Sequence, residues 1–125
     1  MGKYKVSPPD ERKFLGRTFG SKAEMHYCVM LEAMVEQDII RDYVCQPRTW
    51  LGVPENVYVP DFFVVPVGAI PHYVDVKGLE TAKFKRDKKL WSRYGRLPLH
   101  IVKRKGSKFI TSEVIGDKMQ ATNGR

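Results

Sequence analysis

Two short segments hold the residues best suited to chemistry. Tyr58-Val59-Pro60-Asp61-Phe62-Phe63 sets a carboxylate inside an apolar run, and Tyr73-Val74-Asp75-Val76-Lys77-Gly78 sets a carboxylate and an ammonium two residues apart. Side chains alternate along a strand, so Asp75 and Lys77 share one face while Val74 and Val76 take the other. If Asp61 stands beside them on the neighbouring strand, two carboxylates converge at the sheet surface. Like charges that close repel, and burying them is costly. A divalent cation relieves the conflict: Mg²⁺ takes hard oxygen ligands, usually one or two carboxylates with water and phosphate oxygens. Lys77 would then offset charge in a transition state or orient an attacking water. The plain alternative makes Asp61 a strand kink after Pro60, and Asp75 and Lys77 a solvated ion pair. It leaves unexplained why these charges interrupt apolar strands with Gly78 directly behind.

The elements around these segments read as one α/β domain. Residues 1–18 are basic and turn-rich and read as an N-terminal arm. From Ser21, Ala23, Tyr27, Leu31, Met34 and Val35 recur at helical spacing, which predicts a helix running to Arg41 or Asp42. Ser21 and Glu24 have the spacing of a capping box. A short strand at Tyr43–Gln46, a loop over 47–56, a long strand Val57–Val65 and a hairpin partner His72–Lys77 follow. A second helix starts at Glu80 or Thr81 and stops at Gly95, with Phe84, Leu90, Trp91 and Tyr94 as its buried stripe. Leu99–Val102 is the next strand, then a basic turn over 103–106, and a polar tail over 116–125. The order is α-β-β-β-α-β, a mixed sheet flanked by helices, with the domain proper over 19–115.

At 125 residues the chain is the size of one domain, and its charge is +8, from 22 Lys and Arg against 14 Asp and Glu. So basic a small protein commonly meets a polyanion, nucleic acid above all. Cys28 and Cys45 lack zinc-ligand spacing and read as reduced thiols. The N-terminus has no secretory h-region, and the most apolar stretch, broken by Pro60, Asp61 and Pro66, is no membrane span. A cytoplasmic protein with no membrane partner is expected.

Pro60-Asp61 followed by Asp75-Val76-Lys77, with Glu24 upstream on a helix, resembles the PD-(D/E)xK nuclease superfamily. The strings around Phe19–Glu24, Val59–Phe63 and Asp75–Gly78 look closest to phage endonuclease I-type Holliday-junction resolvases and related small phage nucleases; TnsA-type transposase nucleases are similar more distantly. The resemblance covers Phe19 to Lys103. It implies a restriction-endonuclease-like core and Mg²⁺-dependent hydrolysis of DNA phosphodiesters, with Mn²⁺ as a substitute, in phage or mobile-element recombination. Asp61, Asp75, the Val76 carbonyl and Glu24 would hold the metal, and Lys77 would activate the water. It also implies branched or duplex DNA as substrate and a homodimer, because cutting opposed strands of a junction takes two sites.

Three readings stay open. Glu24 either serves the metal or folds back onto its helix cap. Lys22, Lys83, Lys85, Arg86, Lys88, Lys89, Lys103 and Lys105, with Arg104 and Lys108, either track phosphates or form solvated faces. Trp50 is a core or rim residue, or else stacks on an unpaired base. The competing class as a whole is a basic nucleic-acid-binding module without catalysis.

Overall fold

The structure is a computed structural model and describes residues 6–116. The first five residues of the expected arm, and the expected tail from 117 onward, lie outside the described residues. The rest of the arm is ordered against the domain. A 3-10 turn (Pro9–Glu11) leads into a hairpin of β1 (Lys13–Phe14) and β2 (Arg17–Thr18). Leu15 and Gly16 take φ of 52° and 75°, the positive values that a tight hairpin turn demands. Arg12 fastens the segment by donating to the carbonyls of Ser7 (2.5 Å) and Phe19 (2.6 Å).

α1 (Lys22–Glu36) opens as the sequence predicts, with Ser21 Oγ accepting from the Glu24 N–H at 3.1 Å. It closes at Glu36, short of Arg41. Asp38 takes a left-handed φ of 59°, its N–H bonds to the Val35 carbonyl, and the Ile39 N–H bonds to the Met34 carbonyl. This paired cap satisfies the last carbonyls and stops the helix. Asp is one of the few residues that visit this conformation readily.

β3 (Ile40–Cys45) therefore starts earlier than expected. β4 (Thr49–Trp50) lies inside the expected loop and pairs with β5 (Val57–Tyr58) in a small sheet of its own. The apolar run Val57–Val65 is not one strand but two. Proline has no N–H for a ladder bond, and the chain leaves β5 at Tyr58, turns through the buried Pro60 and re-enters as β6 (Phe62–Pro66). β7 (His72–Val76) completes the hairpin. α2 (Ala82–Tyr94), capped by the Thr81 hydroxyl, crosses over to β8 (Leu99–Lys105), and β9 (Lys108–Ile115) returns alongside it. The predicted basic turn over 103–106 is mostly the end of β8; β9 is an addition to the predicted set.

The result is a mixed α/β fold with two helices on a five-stranded sheet ordered β3-β6-β7-β8-β9. β7 and β8 run parallel, and the other pairs are antiparallel. Alternation splits the core in two. Phe62, Val64, Val74, Val76 and Val102 face α1 and its Tyr27, Cys28 and Leu31. Leu99, Ile101 and Tyr73 face α2 and its Phe84 and Trp91, together with Leu51 and Tyr58 from the small sheet. Tyr94, predicted to be buried, is half in solvent and lays its ring over Gly52. No described helix is long and apolar enough to cross a membrane.

α2 ends where Gly95 packs flat on the Trp91 indole, leaving no room for a Cβ. Gly95→Ala is expected to destabilise the protein by about 1–3 kcal/mol through overpacking, read as a lower urea midpoint with an unchanged slope.

Candidate active site

Asp61 and Asp75 meet where β6 begins and β7 ends. Asp75 Oδ1 accepts the backbone N–H of Asp61 at 3.0 Å, and Asp61 Oδ2 accepts the N–H of Val76 at 2.8 Å. Each carboxylate thus grips the backbone beside the other. The Asp61 carbonyl is held in turn by the N–H of Gln46 at 2.9 Å. The Pro60 break makes this possible, because it frees the Asp61 N–H from any ladder and aims it at Asp75.

Asp75 is 1% exposed, and its Oδ2 is buried with no hydrogen-bond partner among the described residues. Buried carboxylate oxygens are normally satisfied, so this one marks a place for a proton or a cation. Burial, reinforced by the neighbouring Glu24 carboxylate, pushes Asp61 up from 3.8 to about 7. Burial does the same to Asp75, also to about 7, against the opposing pull of the Lys77 ammonium and the Asp61 N–H.

Lys77 lies on the same side as Asp75, as alternation predicts. Its N–H joins the Val102 carbonyl at 2.9 Å, and its ammonium sits 4.4 Å from the centre of the Phe84 ring. Its charge lowers the pKa values of Asp61, Asp75 and Glu24 together. The Val76 side chain belongs to the α1-side core, while its N–H is committed to Asp61. Glu24 folds back onto its helix cap and also lies within electrostatic reach of the aspartates. Its carboxylate accepts hydrogen bonds from the Gly20 N–H and the Ser21 hydroxyl, and it also feels Lys77 and acts on Asp61. Burial nonetheless leaves its pKa raised.

Asp87 is a further participant that sequence reasoning passed over. It is 6% exposed on α2, is paired with Lys83 at 2.8 Å, and adds to the upward push on Asp75. The signal was its place between Phe84 and Trp91 on the apolar stripe of α2, where a carboxylate needs a reason to be. Among the described residues, no three His, Cys, Asp or Glu side chains gather tightly enough to form a metal centre by themselves. Asp61 and Asp75 can supply one or two carboxylate oxygens, as many as Mg²⁺ commonly takes from a protein. The unpaired Asp75 Oδ2 fits that use.

The expected phosphate-tracking lysines divide. Lys88 is a structural cation, bound to Glu80 at 3.1 Å and Glu113 at 3.0 Å. Lys83 is committed to Asp87, and Lys22 lies 3.8 Å from Glu11. Arg86 reaches Asn56 Oδ1 at 3.2 Å. Lys85 and Lys89 are exposed on α2 without an acidic partner among the described residues. Along β8, Lys103 and Lys105 alternate onto the face of Ile101 and Asp75, while Arg104 turns to the other side and meets His26. Trp50, read as a core or rim residue, stands largely in solvent.

No protein-family model matches this chain. No curated protein matches it either.

The raised carboxyls link protonation to folding. Unfolded, they titrate near 3.9; folded, near about 7. Between those values the native protein holds more protons than the unfolded chain, so stability present below about pH 4 is lost as pH rises through about 7. Asp75→Asn keeps an acceptor for the Asp61 N–H and removes the buried charge. In metal-free buffer the variant should be more stable than wild type at pH 8, by an amount on the order of 2 kcal/mol, and the gap should close towards pH 4. Urea midpoints across that range measure it.

Proposed function

We propose that this protein is a divalent-metal-dependent endodeoxyribonuclease that hydrolyses phosphodiester bonds by direct attack of water. The observation that carries the reading is the buried, unpaired Asp75 Oδ2 beside Asp61, with the Lys77 ammonium on the same face. Buried carboxylate oxygens normally have a donor, and this one has none among the described residues. A divalent cation held by Asp61 and Asp75, with Glu24 and the Val76 carbonyl as further oxygen donors, would supply Lewis-acid stabilisation and a more acidic water.

The chain's own groups account for the rest. The Asp61–Val76 and Asp75–Asp61 bonds fix both carboxylates in place before substrate arrives, so no reorganisation is needed at the moment of reaction. Lys77, steadied over Phe84, offsets negative charge building on the phosphate and holds the attacking water. Lys103 and Lys105 on the same face, and Lys85 and Lys89 on α2, are suited to the flanking phosphates. Such contacts position the backbone without reading sequence.

The finer reading is a restriction-endonuclease-like core of the PD-(D/E)xK type, acting on branched DNA as a homodimer. It is supported by the residue pattern and by the place of the carboxylates at a hairpin and crossover of a mixed sheet. Cleavage of opposed junction strands by two copies related by a twofold axis follows from it.

The test is incubation of supercoiled plasmid and a four-way junction with and without Mg²⁺. Cleavage should require the metal, and Asp61→Asn, Asp75→Asn and Lys77→Met should each cost at least about 100-fold. Glu24→Gln should keep the Ser21 cap and the fold yet lower the rate. Binding without cleavage, unchanged by these substitutions, would assign the protein instead to the non-catalytic basic modules. Independently of activity, Mg²⁺ should raise the thermal midpoint of wild type but not of Asp75→Asn, and EDTA should reverse the rise.

A further inference from the structure

Trp50 lies on the small sheet and Trp91 on α2, and the two are treated oppositely. Trp91 is 1% exposed and donates its indole N–H to the Leu97 carbonyl at 2.9 Å. Trp50 is 56% exposed, the largest apolar side chain in solvent among the described residues. Its exposure is not a matter of a loose loop. The inner face of the β4–β5 hairpin is locked by Leu51 and Tyr58 in the α2-side core, with Tyr58 edge-on to Trp91 at 5.9 Å. Gly52, with φ 89°, lies beneath the Tyr94 ring at a spacing that a side chain would fill. Thr49 Oγ1 donates to the Tyr58 carbonyl, and Asn56 Nδ2 to the Leu51 carbonyl at 3.2 Å.

The outer face is therefore fixed as well. Trp50 stands opposite Val57, and Val59 follows on the same side by alternation and is exposed. The chain bounds the distance to the carboxylates: Val57 is four residues before Asp61, so their Cα atoms are at most about 14 Å apart. A strand stacked at ~3.4 Å per nucleotide covers that distance in about four nucleotides. Cations border the strip, with exposed Arg48 at one side and Arg86 joined to Asn56 at the hairpin tip.

We propose that Trp50 is a stacking platform for an unpaired nucleobase on the DNA strand that extends from the Asp61–Asp75 site. A flat indole held rigidly outward, with Arg48 two residues before it and Arg86 bound to the same hairpin, matches a base face and its phosphates, a pairing that tolerates any sequence. Three apolar side chains are far fewer than the ~20–30 residues a side of a standard subunit interface. The direction of the strand rests on the nuclease reading; the stacking itself does not. For a branched substrate, the platform would favour the side of the site where bases are unpaired.

Titration of the intact protein with oligothymidylate in EDTA, followed by tryptophan emission, tests the platform without any cleavage. Wild-type emission should be quenched, blunt duplex of equal length should quench little, and Trp50→Phe should lose the quench while keeping the emission of Trp91. Trp50→Ala should weaken oligothymidylate binding roughly 5- to 150-fold. Equal quenching in Trp50→Phe, or unchanged affinity in Trp50→Ala, would overturn the proposal. So would a Trp50→Ala variant that changes oligomeric state in sedimentation while its affinity holds, which would give the face to a second copy. Cleavage with Mg²⁺ in the absence of quenching would sink the platform alone, and quenching without cleavage of any DNA would sink the nuclease alone.

Discussion

The structure around the sheet centre depends on one reciprocal clamp. Asp75 takes the N–H of Asp61, Asp61 takes the N–H of Val76, and the two backbones are thereby tied at the point where β6 and β7 meet. Each bond satisfies a backbone donor that would otherwise be orphaned by the proline break or the strand end. The clamp also fixes two carboxylates where water is scarce, and the cost of that placement appears in their raised pKa values. The buried Asp75 Oδ2 has no hydrogen-bond partner among the described residues. Everything the site can do follows from that residual demand for positive charge.

Positive charge is distributed in a graded way around it. Lys77 is nearest, held against Phe84, whose ring also has Lys88 5.5 Å from its centre. Lys83 pairs with Asp87 within α2, and Lys88 pairs with Glu80 just before the helix and with Glu113 on β9, so Lys88 ties the helix to the sheet edge. Among the described cations without an acidic partner, Lys85 and Lys89 lie on the solvent side of α2 and Lys103 and Lys105 at the end of β8. The net charge of +8 already counts these acids against their lysines, so the pairing fixes where the positive charge stands and not how much of it there is.

The sequence made the centre of the fold legible because the local rules there agree. Apolar periodicity in Ala23–Val35, hydroxyl caps at Ser21 and Thr81, and alternation across His72–Lys77 each point one way, and both helices start where those caps stand. The juxtaposition of Asp61 with Asp75 followed from a hairpin of the right length. The misses have separate causes. The helix overran because the left-handed cap at Asp38 uses a residue common in other settings. Val57–Val65 looked continuous because hydropathy does not register the missing N–H of Pro60. β9 was lost because Lys108–Ile115 alternates weakly at an edge that is largely exposed. Asp87 and the outward Trp50 depend on which helix packs on which face, and pairwise spacing carries no such information.

The connections of the central strands differ greatly in length, and this orders assembly. β6 and β7 are joined by a short turn, so the two aspartates meet through a contact that closes cheaply. β7 and β8 are parallel and are bridged by the whole of α2, a slower, non-local pairing. In the native state Phe84, Leu99 and Ile101 pack on the face of the sheet that also carries Asp75, and so shut bulk water away from the aspartate pair. In the absence of a cation, burying this pair couples folding to proton uptake between about pH 4 and about pH 7.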